Sequence, residues 1–210
     1  MKIIFLGAPG AGKGTQADIV SARLGIPTIS TGAIIRGALK AGTKMGLEAK
    51  KFIEAGALVP DDIVIGIVKE RLSESDCDKG YILDGFPRSV PQAIALDEMG
   101  VSLDKVLSIE VSDEEIVERM SGRRVCPGCG KTYHVTHMPS KKGEECEECG
   151  AKLSIRADDA PDVVRSRLEV YHSTTEPLKA YYESKGKLCT VDGVASVEEI
   201  TKRTLEALGI

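Results

Sequence analysis

No stretch of the chain approaches the apolar run needed to cross a bilayer as a helix, and the N-terminus reads as a strand rather than an export signal. Those two absences exclude a helical membrane protein and make the cytoplasm the expected location. A basic excess is also missing. Lys and Arg number 28 against 32 Asp and Glu, for a net charge of −4. That balance argues against coating nucleic acid or lying on an anionic membrane, although clustered arginines can still build a positive cleft for phosphates. No internal repeat or low-complexity tract is present. None of the 3 histidines sits in a recognisable triad pattern, and no obvious covalent nucleophile stands out. What remains is a globular composition, 42% hydrophobic and 29% charged, in 210 residues. That length suffices for one α/β core with one or two small inserted lobes.

The most informative stretch is the first. Ile3 to Leu6 reads as a buried strand, Gly7-Ala-Pro-Gly10-Ala11-Gly12-Lys13-Gly14-Thr15 as a loop, and Thr15 to Leu24 as a helix. Gly7, four residues, Gly12 and Lys13 match the nucleotide-binding P-loop in its strand–loop–helix context. Such a loop curls so that backbone N–H groups point at a polyphosphate, which side chains would block and glycines do not. The following helix turns its positive end to the same place. Lys13 adds a point charge at the β- and γ-phosphates, and Thr15 a hydroxyl near them or near the metal.

Further on, Gly25 to Gly32 reads as a turn, a short strand and another turn. Ala33 to Ala57, rich in small residues, reads as short helices with breaks, a compact helical insert. Pro60-Asp61-Asp62 caps a helix that carries Ile63, Ile67, Val68 and Leu72 at helical spacing. A helix over Gln92 to Met99 follows Pro91, and Val106 to Val111 is a strand. Ser112-Asp-Glu-Glu115 offers a capping box for a helix to Met120. Pro161 suits the first turn of one long helix over about 162–184. Lys187 to Val191 is a last strand, and Ser196-Val-Glu-Glu199 caps the closing helix. Strands alternating with helices predict an α/β fold, a doubly wound parallel sheet with helices on both faces.

Tyr81-Ile-Leu-Asp84 reads as a strand ending in an acid. At the carboxyl end of a strand beside a P-loop, such an acid holds Mg²⁺ or its waters. The arginines are spread around two inserts: Arg36 in the first, Arg88 beyond the acidic strand, Arg119, Arg123 and Arg124 at the entry to a cysteine-rich lobe. Arg156 marks the exit of that lobe, and Arg167 the helix after it. Guanidinium forks on two closing flaps suit a site that surrounds several phosphates and stabilises charge during in-line transfer.

That lobe carries Cys126-Pro-Gly-Cys129-Gly and Cys146-Glu-Glu-Cys149-Gly, two knuckles with 16 residues between them. Four cysteines in this spacing predict a structural zinc ribbon, because a full Cys₄ set leaves no open catalytic position. Iron in the same thiolates is the alternative, and His134 and His137 could compete as ligands. A lobe this poor in apolar residues needs the metal to fold. Glutamates 144, 145, 147 and 148 around the second knuckle argue against nucleic acid. His172 reads as a helix-surface residue, Cys77 as incidental and Cys189 as strand core.

Taken together, Gly7 to Thr15, Ser30-Thr31-Gly32 with Arg36, Leu58-Val59-Pro60-Asp61, Asp84-Gly-Phe-Pro-Arg88 with Gln92, and Gly122-Arg123-Arg124 resemble the adenylate kinase family over essentially the whole chain. The Cys₄ lobe is similar to the zinc-bearing lid of the long bacterial form. The resemblance implies Mg²⁺-dependent interconversion of ATP plus AMP with two ADP, in a monomer, with no nucleic-acid or membrane partner. By that likeness Gly10, Ala11, Gly12, Lys13, Gly14 and Thr15 hold ATP phosphates. Arg119, Arg123, Thr132, Tyr133 and Ala195 line the rest of the ATP site. Thr31, Arg36, Ala57, Leu58, Val59, Gly85, Phe86, Pro87, Arg88, Gln92, Arg156 and Arg167 form the AMP site. Lys13, Asp84, Arg88, Arg123, Arg156 and Arg167 serve transfer. Cys126, Cys129, Cys146 and Cys149 hold zinc.

The implied domains are a core of 1–29, 60–121 and 160–210, an AMP lobe of 30–59 and a lid of 122–159. One departure stands out: where the family usually reads Thr-Gly-Asp, this chain has Thr31-Gly32-Ala33, so an acid near the phosphates is missing. Three rival functions can be weighed. A UMP or CMP kinase is disfavoured by Thr31 and Gln92, which suit adenine. A slow P-loop switch would leave Arg36, Arg88, Arg156 and Arg167 with no second phosphate group to serve. A zinc-ribbon interaction module is weakened by its acidic second knuckle.

Overall fold

The computed structural model describes residues 1–210. In chain order it contains β1 (Lys2–Leu6), α1 (Lys13–Leu24), β2 (Thr28–Ser30), α2 (Thr31–Lys40), α3 (Lys44–Glu54) and α4 (Asp61–Leu72). Next come β3 (Tyr81–Asp84), α5 (Val90–Glu98), β4 (Lys105–Glu110), α6 (Asp113–Gly122), β5 (Arg123–Val125) and β6 (Thr132–His134). The chain closes with α7 (Pro161–Val170), α8 (Leu178–Glu183), β7 (Leu188–Asp192) and α9 (Val197–Leu208). No helix is long and apolar enough to cross a membrane.

Five strands form one parallel sheet in the order β2-β3-β1-β4-β7. Its central strand shows why. Ile4 and Leu6 enter one buried cluster with Leu83, Phe86, Leu96 and Val106, whereas Ile3 and Phe5 enter another with Val20, Ile82, Leu107 and Ile116. Successive side chains of a strand point to opposite faces, so an unbroken apolar run is stable only where helices cover both. The strand order reverses at β1, which has β3 on one side and β4 on the other. A doubly wound sheet binds its ligand at the carboxyl ends of strands flanking such a reversal. Gly7, Asp84 and the end of β4 all lie at that edge.

Helix starts follow their sequence signals. Ser112 and Ser196 accept from the N–H of Glu115 and Glu199 at the caps of α6 and α9. Two expectations change. No second turn follows β2, because Thr31 itself opens α2. The long helix expected over 162–184 is broken: a π turn spans Tyr171–Thr175, with Glu176 N–H donating to Tyr171 O at 2.8 Å, and α8 resumes after Pro177. Proline has no N–H and its ring collides with the preceding turn, so the regular ladder cannot run through it.

Two segments stand outside the sheet's layers. Helices α2 and α3 pack on each other as the expected helical insert. The polar stretch after α6 carries the antiparallel β5–β6 hairpin and the cysteines, around a small core of Cys126, Tyr133 and Cys146.

Candidate active site

Beyond Leu6 the chain must turn sharply to reach α1. Gly7 does so at φ +136°, and a Cβ there would sit 2.5 Å from the carbonyl oxygen of Ile109 on β4. Only glycine lets the loop approach that strand. Gly12 caps α1 without any side-chain hydrogen bond. The first-turn amides, which have no intrahelical partner, are therefore left for a ligand. Lys13 folds back over the loop, its Nζ donating to Gly7 O at 2.7 Å and Ala8 O at 2.8 Å. Burial pushes its pKa down to about 8; the Asp84 carboxylate opposes the fall, and Arg88, Arg167 and Arg123 add to it. A buried ammonium held only by neutral carbonyls is a receptor for an anion.

Asp84 ends β3 half-buried, with a single long contact from Ser30 Oγ at 3.4 Å. The next residue is the hub of a tight loop. Gly85 O accepts from Thr31 Oγ1 at 2.7 Å and from Arg88 Nε at 2.9 Å. Gly85 holds φ at +77°, a left-handed backbone conformation that favours glycine here too. The Arg88 main chain is pinned at both ends. Its N–H donates to Gln92 Oε1 at 2.7 Å, and its carbonyl accepts from Thr175 Oγ1 at 2.8 Å. Thr175 belongs to the π turn, and nothing in its sequence neighbourhood announces this role.

Arginines converge from separate segments. Arg123, at the start of β5, donates through Nε to Asp159 Oδ2 at 2.8 Å, and its Nη2 pairs with Asp159 Oδ1. Arg156 donates through Nε to Asp158 Oδ1 at 2.8 Å, and Arg167 Nη1 stands 3.0 Å from Asp158 Oδ2. Burial opposes ionisation of Asp158, but its hydrogen bond from Arg156 and the charges of Arg156, Arg167 and Arg123 prevail and hold it at about 2. Burial lowers Arg36 and Arg167 to about 10, which leaves both charged at neutral pH. Asp158 and Asp159 were missed by the sequence reading. Their one signal is an acid pair wedged between Arg156 and the helix that begins at Pro161.

These groups line one cavity of about 910 Å³. Every expected nucleotide-site residue lies on its wall except Phe86, which is fully buried in the core. Arg36, Arg88, Arg156 and Arg167 thus share a cavity with Lys13. Arg119 is held by Glu115 at 2.8 Å and donates to Gly193 O at 2.9 Å. Tyr133 reaches the wall, but its hydroxyl is turned away into the cysteine lobe, 3.3 Å from Cys146 Sγ. The cavity is cationic although the chain is acidic: Lys13, Lys131 and arginines 36, 88, 119, 123, 156 and 167 on its wall outnumber Asp18, Asp84, Asp158 and Glu198. That sign selects polyanionic ligands.

The four sulfurs of Cys126, Cys129, Cys146 and Cys149 lie within 4.8 Å of one another, and none is in a disulfide. Cys126 and Cys149 Sγ are 3.3 Å apart and Cys129 and Cys146 Sγ 3.5 Å apart. A tetrahedron with Zn–S bonds of about 2.3 Å has edges of about 3.8 Å, so the set fits that ion with little adjustment. The Tyr133 hydroxyl pulls the Cys146 thiol down to about 6, toward the thiolate a metal needs. His134 and His137 stay outside the cluster; His134 Nδ1 accepts from the N–H groups of Thr136 and His137. His172 is exposed and bridges Glu176 and Asp113, while Cys77 is buried and Cys189 half-buried on β7.

A family profile described as "Adenylate kinase" matches residues 5–187. Among curated proteins, adenylate kinase of Caldicellulosiruptor saccharolyticus is 52% identical, and that of Caldicellulosiruptor bescii 53% identical, each over 214 aligned residues with 100% of both chains covered. Adenylate kinase of Syntrophotalea carbinolica is 50% identical, covering 100% of this chain and 99% of its own. With a P-loop, a cationic cavity and likeness over the full length, the chain belongs to the adenylate kinase family.

Proposed function

We propose that this phosphotransferase, which interconverts ATP plus AMP with two ADP, works by in-line transfer between nucleotides placed end to end over the P-loop. The single observation that carries the reading is the convergence of Arg36, Arg88, Arg123, Arg156 and Arg167, from both inserts and the core, on the cavity that holds Lys13. One nucleotide needs a P-loop; a second phosphate group needs the other arginines.

In this reading the amides of Gly10 to Thr15 and the Lys13 ammonium hold the ATP phosphates, with Arg119, Thr132, Tyr133 and Ala195 along the base and ribose. Tyr133 would contribute its ring edge or main chain, since its hydroxyl is engaged at Cys146. Arg36 and Arg88 would hold the AMP phosphate. Thr31, residues 57–59, Gly85, Pro87, Arg88 and Gln92 would surround its base and sugar, with Phe86 packed behind that loop in the core. Arg123, Arg156 and Arg167 would take the charge that spreads over the transferring group. Their pairing with Asp158 and Asp159 keeps the guanidinium planes oriented before the phosphates arrive, which lowers the reorganisation needed at transfer.

An open site would let the γ-phosphoryl group pass to water, so closure must precede transfer. The lobes proposed to close are 30–59 and 122–159 over a core of 1–29, 60–121 and 160–210. Lys40 Nζ on α2 donates to Pro127 O in the cysteine lobe at 2.8 Å, a contact that joins the two flaps across the cavity mouth. Asp84 would hold Mg²⁺ or its waters: it is a half-buried carboxylate at a strand end with one weak protein partner. Mg²⁺ bound with ATP supplies charge neutralisation on the phosphate oxygens. With Ala33 in place of an acid, Asp84 carries that duty alone. Cys126, Cys129, Cys146 and Cys149 would hold a structural Zn²⁺, which supplies the lobe with the cohesion its small core lacks. The family likeness supports action as a monomer.

Coupled detection of ADP from ATP with AMP, GMP, UMP or CMP tests the reading. AMP should be strongly preferred, and a bisubstrate analogue joining two adenosines through five phosphates should bind more tightly than ATP. Equal use of the pyrimidine monophosphates, or no preference for the analogue, would overturn it.

A further inference from the structure

We propose that Asp61 is a specificity-determining positioning residue: it locks the Gln92 side-chain amide in the one orientation that reads an adenine edge and rejects the 6-oxo edge of IMP or GMP. The proposal rests on the reading above that Gln92 faces the base of the monophosphate.

Asp61 opens α4 and does not line the cavity. Its carboxylate is directed at α5 instead: Oδ1 accepts from Gln92 Nε2 at 2.6 Å and Oδ2 accepts from Ser89 Oγ at 2.9 Å. Gln92 is only 1% exposed, and its Oε1 accepts from the Arg88 N–H at 2.7 Å. The chemistry of these two partners leaves no choice of orientation. An ionised carboxylate can only accept and a backbone N–H can only donate, so the amide nitrogen must face Asp61 and the amide oxygen Arg88. A flipped amide would set oxygen against carboxylate and NH₂ against N–H, and burial makes two such unmet contacts expensive.

Each end of the locked amide keeps one site free, an N–H on Nε2 and a lone pair on Oε1. Adenine offers a matching pair, a donor at N6 and an acceptor at N1. Hypoxanthine and guanine offer the reverse, an acceptor at O6 and a donor at N1. A glutamine free to flip serves either edge equally well. Held as it is here, it pairs with adenine and opposes the 6-oxo purines. Asp61 thereby contributes to base choice without touching the base.

The test is the ratio of kcat/KM for AMP to that for IMP, with ATP as donor. Asp61→Asn keeps the shape but can present either oxygen or NH₂ to Gln92, so one of the two locks is removed. With the Arg88 N–H still holding the oxygen end, the ratio should fall about fivefold, part of the range by which a bidentate edge contact discriminates bases. Ser89→Ala loosens the same loop while keeping the acid, and should hold the ratio within about threefold of the parent. An unchanged ratio in Asp61→Asn, or an equal fall in Ser89→Ala, overturns the proposal. Gln92→Leu separates the two layers. If it loses discrimination while Asp61→Asn keeps it, the role of Asp61 alone fails; if it keeps discrimination, the placement of Gln92 against the base fails first. A neutron structure of the parent needs no variant: deuterons on the Gln92 atom facing Asp61 support the lock, and deuterons on the atom facing Arg88 overturn it.

Discussion

Lys13 carries the sharpest quantitative consequence of the site. Its pKa stands at about 8 in the free protein instead of 10.5, because burial penalises the ammonium before any phosphate is present to repay it. At 1.36 kcal/mol per pH unit, that displacement corresponds to about 3 kcal/mol. Polyphosphate binding supplies the missing counter-charge and returns the pKa toward its ordinary value, so ATP and a proton bind together above pH 8. The sign follows: the free enzyme is charged at Lys13 below about 8 and neutral above it, while the complex stays charged to higher pH. At pH 9 only about one-tenth of free Lys13 is protonated, so ATP should take up close to one proton, against almost none at pH 7. Affinity should weaken by up to about tenfold per pH unit over that window. Calorimetry of ATP binding in two buffers of different ionisation enthalpy reads the uptake directly. Lys13→Met should abolish the uptake and lower kcat more than tenfold, about 1.4 kcal/mol of barrier. Absence of proton uptake at pH 9 in the parent, or the same uptake in Lys13→Met, would refute the reasoning.

Three other outcomes are expected. With Cys126, Cys129, Cys146 and Cys149 proposed as a structural zinc site off the cavity wall, a chelator should lower Tm far more than it lowers turnover per folded molecule; calorimetry with metal analysis checks this, and unchanged melting would count against a structural ion. Thr175→Val deletes the hydroxyl on the Arg88 carbonyl and should cost about 1 kcal/mol, a several-fold loss in kcat, with recovery in Thr175→Ser; steady-state kinetics would expose a silent change. Asp158, held at about 2 against an ordinary 3.8, contributes about 2 kcal/mol of stability that is present above pH 4 and lost as pH falls through about 2. Denaturant midpoints of parent and Asp158→Asn across that window should therefore converge as the acid protonates, and parallel curves would contradict the pairing.

What the amino-acid order settles alone is whatever is written locally. The P-loop is legible because glycine positions, Lys13 and a flanking apolar strand are consecutive, and their geometry follows from backbone sterics. The cysteine cluster is legible because each knuckle supplies two cysteines only three positions apart. The two-faced sheet is legible from the unbroken apolar run of β1, and helix starts from Ser112 and Ser196.

Only the tertiary structure decides the rest. Thr175 meets Arg88 across 87 positions, and Asp61 meets Gln92 across 31, so neither contact leaves any period or spacing to read. Asp158 and Asp159 look like turn residues until three guanidinium groups close on them, and the Tyr133 hydroxyl looks available until the cysteine lobe claims it. The long helix after Pro161 breaks at Tyr171–Thr175, where the π turn presents Thr175 to the site. The physical reason is common to all of these. A hydrogen bond or ion pair gains its worth from burial and from the orientation of its partner, and both arise only when distant segments are packed together.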